Sequence, residues 1–185
     1  MRKLLLVLVL LVSVQGFTQA QKNYNYPLKA AYIYQFTKFI DWKSVEDTTQ
    51  VFIIGVLGSK SGIYPYLLDI SQRHTIKSKV VVISEIVFAD QLNEISKAKA
   101  AEVVNYCDIL FVPEKNAEYL GRLLEVADNN TLLIGESPNF AEDGGAINFV
   151  EYDNRLQFEL NKNAILRNGF KVSNQLLKLA ILIDR

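Results

Sequence analysis
The chain reads as one α/β domain: a Rossmann-like, mainly parallel sheet of about four strands, extended by an antiparallel hairpin, with helices on both faces. Three observations carry this reading. Four short runs, 51–57, 79–83, 108–112 and 131–135, are apolar without alternating. Strands buried on both faces have that pattern, and the runs are too short for average helices. Helical segments lie between them at 61–71, 89–104 and 116–127, and this strand–helix alternation argues for parallel strands joined by crossovers. The last third then changes character, because Leu156, Phe158 and Leu160 alternate with Arg155, Gln157 and Glu159. Alternation of that kind marks a half-exposed antiparallel strand.

Composition supports one real core. The 185 residues are 50% hydrophobic, 11% aromatic and 22% charged, which excludes a disordered or low-complexity chain. Twenty basic side chains balance twenty acidic ones. Two of the basic ones, Arg2 and Lys3, precede an apolar run at 4–14, with Thr18 and Ala20 at the −3 and −1 positions of a cut before Gln21. This is the order of a signal peptide, and the run is too short to span a bilayer as a helix. Residues 1–20 are therefore expected to be an export signal, with Gly16 as a second cut, and 21–185 the folded domain. Removing the signal leaves 18 basic against 20 acidic residues, a net charge of −2. No basic block remains to displace counterions from nucleic acid, so no nucleic-acid partner is expected. The mature chain is expected to be exported and soluble.

The elements follow in order. Pro27 opens a helix over 27–40, where its missing N–H costs little. Leu28, Ala31, Tyr32, Gln35, Phe36 and Phe39 form its expected buried stripe, with Lys29 and Lys38 outside it. Asn116 suits an N-cap for 116–127. Residues 146–152 and 155–160 flank Asp153-Asn154 as a two-residue hairpin turn. Asn161 and Ser173 can cap two last helices. The second, 174–183, is apolar nearly all round and reads as buried. Asp143-Gly144-Gly145 reads as a turn needing positive φ.

The side chains offer little chemistry. His74 is the one histidine, in a polar loop, and no Gly-x-Ser-x-Gly elbow accompanies it. One His and one Cys cannot make a zinc site, and the acidic spacings match no calcium loop. Cys107 can form no intrachain disulfide and reads as a buried packing residue. Paired acids at Glu142-Asp143 and Glu151-Asp153 are ordinary in turns. No catalytic residue, metal or cofactor is expected. The Asn129-Asn130-Thr131 triplet fits a glycosylation sequon, but a strand junction explains its polarity.

Two features bear on binding. The segment 55–62 follows the first strand and precedes a helix, the place where α/β proteins hold anions on backbone N–H groups. It matches neither G-x-x-x-x-G-K-[ST] nor G-x-G-x-x-G. Two readings stand: a small-ligand loop at Ser59, Lys60 and Ser61, or a tight strand-to-helix turn. Second, Tyr24, Tyr26, Tyr32, Tyr34, Phe36, Phe39 and Trp42 crowd into nineteen residues. One helix face cannot bury them all, so part of the group is expected at a partner surface. Tyr34 and Trp42 are the candidates there, with Phe140 and Tyr152 from the later loops.

The order of motifs resembles the YfiR-type family of secreted regulatory proteins. The matching pieces are Leu28 to Trp42, Ile54 to Gly58, Cys107 to Val112, Leu133 to Ser137, Phe140 to Phe149, Phe158 to Asn161 and Gly169 to Ala180. The resemblance implies a periplasmic, non-enzymatic regulator. It would repress a membrane-anchored diguanylate cyclase through its periplasmic sensor region, lowering cyclic-di-GMP and biofilm formation, or serve as a sensory input to a histidine kinase. It also implies a homodimer. Two departures limit it. Lys43, not Pro, follows Trp42, and Cys107 stands alone where founding members carry paired cysteines. The alternative function is a periplasmic solute-binding protein serving a transporter, and a third reading is a hydrolase built on His74.

Overall fold
The computed structural model describes residues 25–42, 49–87 and 94–184. The export signal expected at 1–20, residues 21–24 of the expected domain, and the N-terminal part of the helix expected at 89–104 lie outside the described residues.

Helix α1 (Tyr26–Phe39) leads into the two-residue strand β1 (Ile40–Asp41). Strand β2 (Val51–Leu57), helix α2 (Tyr64–Arg73), strand β3 (Val80–Ile86), helix α3 (Lys97–Val104) and strand β4 (Ile109–Val112) follow. A 3-10 turn at Glu114–Tyr119 runs into helix α4 (Leu120–Val126) and strand β5 (Leu132–Gly135). Strands β6 (Ile147–Tyr152) and β7 (Arg155–Asn161) form the hairpin. Helix α5 (Lys162–Arg167), strand β8 (Lys171–Val172), helix α6 (Asn174–Leu179) and strand β9 (Ile181–Ile183) complete the chain.

The main sheet has seven strands in the order β3-β2-β4-β5-β6-β7-β9. The first five run parallel, one more than expected, because β6 joins β5 in parallel before it turns into the hairpin. Counting only those five strands, the order is 2-1-3-4-5, the flavodoxin-like doubly wound arrangement. Strands β1 and β8 form a separate antiparallel pair.

The runs that became β2, β4 and β5 bury both faces, as parallel strands inside a sheet do. The run 79–83 does not, because β3 lies at the sheet edge with Val80 60% and Val82 38% exposed. Phe52, Ile54, Val56, Ile109, Phe111, Leu132 and Ile134 point into one core, closed by α1, α2, α5 and α6. Ile53, Leu57, Leu110, Val112 and Leu133 point into the other, closed by α3 and α4. Each fully buried Phe, Ile or Leu contributes roughly 1.5–3 kcal/mol. Asn161 Oδ1 accepts the Ala164 N–H at 2.9 Å, and Ser173 Oγ accepts that of Leu176 at 3.3 Å, so both expected caps form. Asp153 (φ 48) and Asn154 (φ 60) both adopt the left-handed conformation of a type I′ hairpin. Gly144 (φ 112) supplies the positive φ of its turn.

Three expectations are corrected. The buried face of α1 is Lys29, Ala30, Ile33, Phe36 and Thr37, while Leu28 is 41% exposed. Periodicity placed Lys29 outside because it cannot see a buried partner for the charge. The run 174–183 is not one buried helix. It breaks at Ala180 (ψ 149), and Ile181–Ile183 add to β7 in parallel. Sheet-edge pairing satisfies the backbone there, and Leu179 is left 71% exposed. Asn116 caps no helix: Pro113 starts a 3-10 turn first, and Asn116 gives its N–H to Pro113 O at 2.8 Å.

Candidate functional site
Parallel strands all deliver their following loops to one edge of the sheet, and a doubly wound sheet opens a crevice there where the strand order reverses. In this chain the reversal lies between β2 and β4. The crevice is flanked by the loop Gly58–Gly62 and by the Pro113–Asn116 turn.

The first loop turns back through two left-handed residues, Gly58 (φ 82) and Lys60 (φ 54). Gly58 gives its N–H to Ile86 O at 2.9 Å, and Lys60 gives its own to Glu85 Oε1 at 2.9 Å. A chain carboxylate thus holds the backbone donor that a bound anion would need. Ser59 O accepts Lys115 Nζ at 2.8 Å, a bond that bridges the two loops. A Cβ on Gly58 would stand 2.7 Å from Asn116 Oδ1, so glycine lets the asparagine lie against the loop. Ser61 and Asn116 are both buried, and Ser61 Oγ and Asn116 Oδ1 have no hydrogen-bond partner among the described residues.

The same edge holds a buried ion pair. Glu136 directly follows β5 and accepts Lys29 Nζ from α1 on Oε2 at 2.5 Å. Its Oε1 accepts the Glu114 N–H at 3.3 Å and the Tyr26 hydroxyl at 3.5 Å. The Lys29 ammonium also lies 5.5 Å from the Tyr26 ring centroid and 5.9 Å from that of Phe149. Tyr26 in turn rests on Gly62, where a Cβ would come 2.3 Å from the ring. Nothing in the sequence marked Lys29, Glu136 or Asn116 as neighbours. The nearest signal was a Lys in the first turn of an aromatic helix and a Gly-Glu-Ser step after an apolar strand.

The opposite edge carries Trp42. Trp42 gives its indole N–H to Asp108 O at 3.2 Å and Asn130 O at 3.0 Å, just before β4 and β5. Its ring meets Phe52 and Phe170 edge-on, with Lys77 Nζ 5.7 Å above it. Trp42 is thus a half-buried tie rather than a loose surface ring. Tyr32 and Phe36, both on the expected buried stripe, join Phe149 and Phe158 in an aromatic cluster. Tyr34 stays at the surface. It stacks on His74 at 4.9 Å under Lys38, beside an open cleft of about 460 Å³ lined also by Ser71, Arg73 and Val80.

Phe140 is corrected as a surface candidate. It is 1% exposed, with its ring against Gly135 and Gly145, and it offers no face to a partner. Tyr152 is 61% exposed at the hairpin end, beyond the far edge of the sheet from Trp42. The candidates therefore do not form one patch.

Reactive groups are muted. Cys107 is buried, and desolvation followed by the nearby Asp108 charge pushes its thiol up to about 12. Burial also raises Asp108, against the opposing Ile53 N–H that its Oδ2 accepts at 2.7 Å. Among the described residues no three His, Cys, Asp or Glu side chains gather as metal ligands. Among them, too, no helix is long and apolar enough to cross a membrane.

A family model described as YfiR/HmsC-like matches residues 26–181. The chain belongs to the YfiR/HmsC-like family. The match runs from the first residue of α1 into β9, so the family's pattern spans both edges of this YfiR/HmsC-like domain. In structure, the domain is similar to a conserved domain protein from Vibrio cholerae O1 biovar El Tor. The TM-score is 0.53 at 10% identity, covering 86% of this chain and 60% of that one. It is also similar to the ABC domain in complex with L-Trp from Streptococcus pneumoniae, with a TM-score of 0.49 at 12% identity, covering 72% and 55%. The chain spans less than two thirds of either. The first likeness supports the α/β fold alone. No curated protein matches the sequence.

Proposed function
We propose that this chain is an exported, non-enzymatic regulator. It binds the periplasmic sensor region of a membrane-anchored signalling protein, a diguanylate cyclase or a histidine kinase, and holds it inactive. The observation that carries this reading is the YfiR/HmsC-like match over 26–181, which takes in the whole described domain. The export-type leader at 1–20 supports the location. In this reading Tyr34, in its stack on His74, and Trp42 contribute to one contact surface, and Tyr152 to a separate one at the hairpin. The second surface would serve either the signalling protein or a second copy in a homodimer.

Regulation of this kind needs a signal that binds the free and partner-bound states with different affinity. The test is a pull-down from solubilised membranes with the exported chain as bait, combined with deletion of its gene. The expected result is recovery of a cyclase or kinase with a periplasmic domain, and raised cyclic-di-GMP or kinase output on deletion. Recovery of transporter subunits alone, with signalling output unchanged, would overturn it.

A further inference from the structure
Strand β3 closes one end of the main sheet, and β2 is its strand neighbour there. The backbone groups of successive strand residues face opposite sides, so every second residue of β3 faces β2. Two bonds fix which. Val80 gives its N–H to Gln50 O at 3.0 Å, and Ile86 O accepts the Gly58 N–H at 2.9 Å. Gln50 and Gly58 flank β2, so Val80, Val82, Ser84 and Ile86 face inward, and Val81, Ile83 and Glu85 face outward. Among the described residues, the outward N–H and C=O groups of those three have no partner. An edge of this kind is a template for a further strand.

The two ends of the edge decide what fits it. At the start, Lys79 gives its N–H to Ile76 O at 2.8 Å and accepts that of Ile76 at 3.1 Å, so the free edge begins at Val81. Val81 opens onto the cleft of about 460 Å³ walled by Tyr34, Arg73 and His74, with Lys38 over the Tyr34 ring. Arg73 also holds Asp69, but a guanidinium has five N–H donors. At the other end stands Glu85, which accepts the Lys60 N–H on Oε1 and keeps Oε2 open among the described residues. An edge with a cationic cleft at one end and a carboxylate at the other is complementary to itself run backwards.

We propose that β3 pairs antiparallel with β3 of a second copy of this chain, about a twofold axis through Ile83. In that register Ile83 meets the partner's Ile83, Val81 meets the partner's Glu85, and Val82 meets the partner's Ser84. All three outward residues of each copy are then bonded, by about six hydrogen bonds, and the two main sheets continue into one. Each Glu85 comes to the Arg73–His74 cleft of the other copy. Val80 and Val82, 60% and 38% exposed, lie beside the added strand and are shielded in part. Centred one residue earlier, the pairing would set Glu85 against Lys79, whose outward groups Ile76 already holds. A twofold contact uses the same patch on both copies and closes on itself. The proposal gives a face to the homodimer of the preceding reading, and it rests on that reading for the dimer itself.

The test is sedimentation equilibrium of the full chain, purified after export and without any signalling protein, so a negative result here leaves the pull-down result standing. A dimer is expected. Ile83→Pro removes an outward N–H and no bond to β2, and proline is tolerated on an edge. It should weaken dimerisation at least tenfold. Arg73→Glu and Glu85→Arg should each weaken it, and the combined variant should recover it. Val82→Cys mixed with Ser84→Cys reads the register with the edge backbone intact. Under oxidation the mixture should form a disulfide between copies, and either chain alone should not. Thermal melts identify which variants remain folded. A monomer at every concentration would overturn the proposal. So would a dimer left unchanged by folded Ile83→Pro, or a combined variant no tighter than the two single ones. A cross-link formed by Val82→Cys alone, or none in the mixture, would overturn it as well.

Discussion

Lys29 Nζ and Glu136 Oε2 meet 2.5 Å apart across 107 positions of sequence, with their side chains 9% and 1% exposed. This pair joins the first turn of α1 to the end of β5. Removing one partner from a buried pair leaves the other charge uncompensated, which typically costs about 3–5 kcal/mol. Lys29→Met is therefore expected to lower stability by that amount in urea titrations. The double change Lys29→Met with Glu136→Leu should recover part of the loss. A double variant weaker than the sum of both single changes would show that the pair is not the unit.

Trp42 binds two backbone carbonyls through one N–H, at Asp108 and Asn130. Trp42→Phe keeps the packing on Phe52 and Phe170 in part but removes the indole donor from both carbonyls, while Asp108 O keeps the Leu132 N–H at 2.9 Å. A loss of about 0.5–1.5 kcal/mol is expected in equilibrium unfolding. A partner-binding defect larger than the fraction unfolded would separate a surface role from this structural one.

Phe140 occupies the space that side chains at Gly135 and Gly145 would need. A Cβ on Gly145 would come 2.1 Å from the ring and 2.8 Å from the Phe140 backbone oxygen. Gly145→Ala should cost about 1–3 kcal/mol through overpacking. Thermal melts of the variant check this, and an unchanged midpoint would contradict the packing.

The Cys107 thiol is held up at about 12, against an ordinary 9.0. At pH 8.5 its thiolate population is lower than that of a free thiol by a factor on the order of a thousand. Native protein should react with a thiol reagent only after unfolding. Between pH 9.0 and about 12 the unfolded chain has lost a proton that the folded chain keeps. Stability must therefore fall as pH rises through that window. Cys107→Ala should remove this part of the fall in urea midpoints measured at pH 8 and pH 10.

The hairpin turn uses two non-glycine residues at positive φ, Asp153 and Asn154. Asn154→Gly relieves the left-handed strain at the second, and Asp-Gly is a favoured type I′ pair. A gain of a few tenths of a kcal/mol is expected, because the greater freedom of glycine in the unfolded chain offsets part of the relief. A lower melting temperature would contradict it.

Much of the architecture was legible because it rests on local patterns. The run 51–57 became β2 over those same residues, since six apolar side chains around one glycine, in a run too short for an average helix, suit a strand covered on both faces. The hairpin, the caps at Asn161 and Ser173, and the turn at Gly144 followed from conformational preferences that a few residues express by themselves. The end of the chain was misread because Leu179 to Ile183 are apolar in any conformation. Only pairing with β7 turned that segment into a strand.

The candidate site was legible on one side only. The loop 58–61 announced itself by its glycines and its place after a strand. Its counterpart Asn116 read as a helix cap, and Lys29 read as a solvent-facing charge. The sequence by itself determined the α/β class, with a mainly parallel sheet and a hairpin extension, and few groups for chemistry. Those properties come from composition and periodicity, which act over short stretches. The tertiary structure alone decided that Lys29 is buried on Glu136, that Phe140 is core, and that Asn116 lies against Gly58. Each of these depends on which strands become neighbours, and strand order joins residues too distant along the chain for any local pattern to connect.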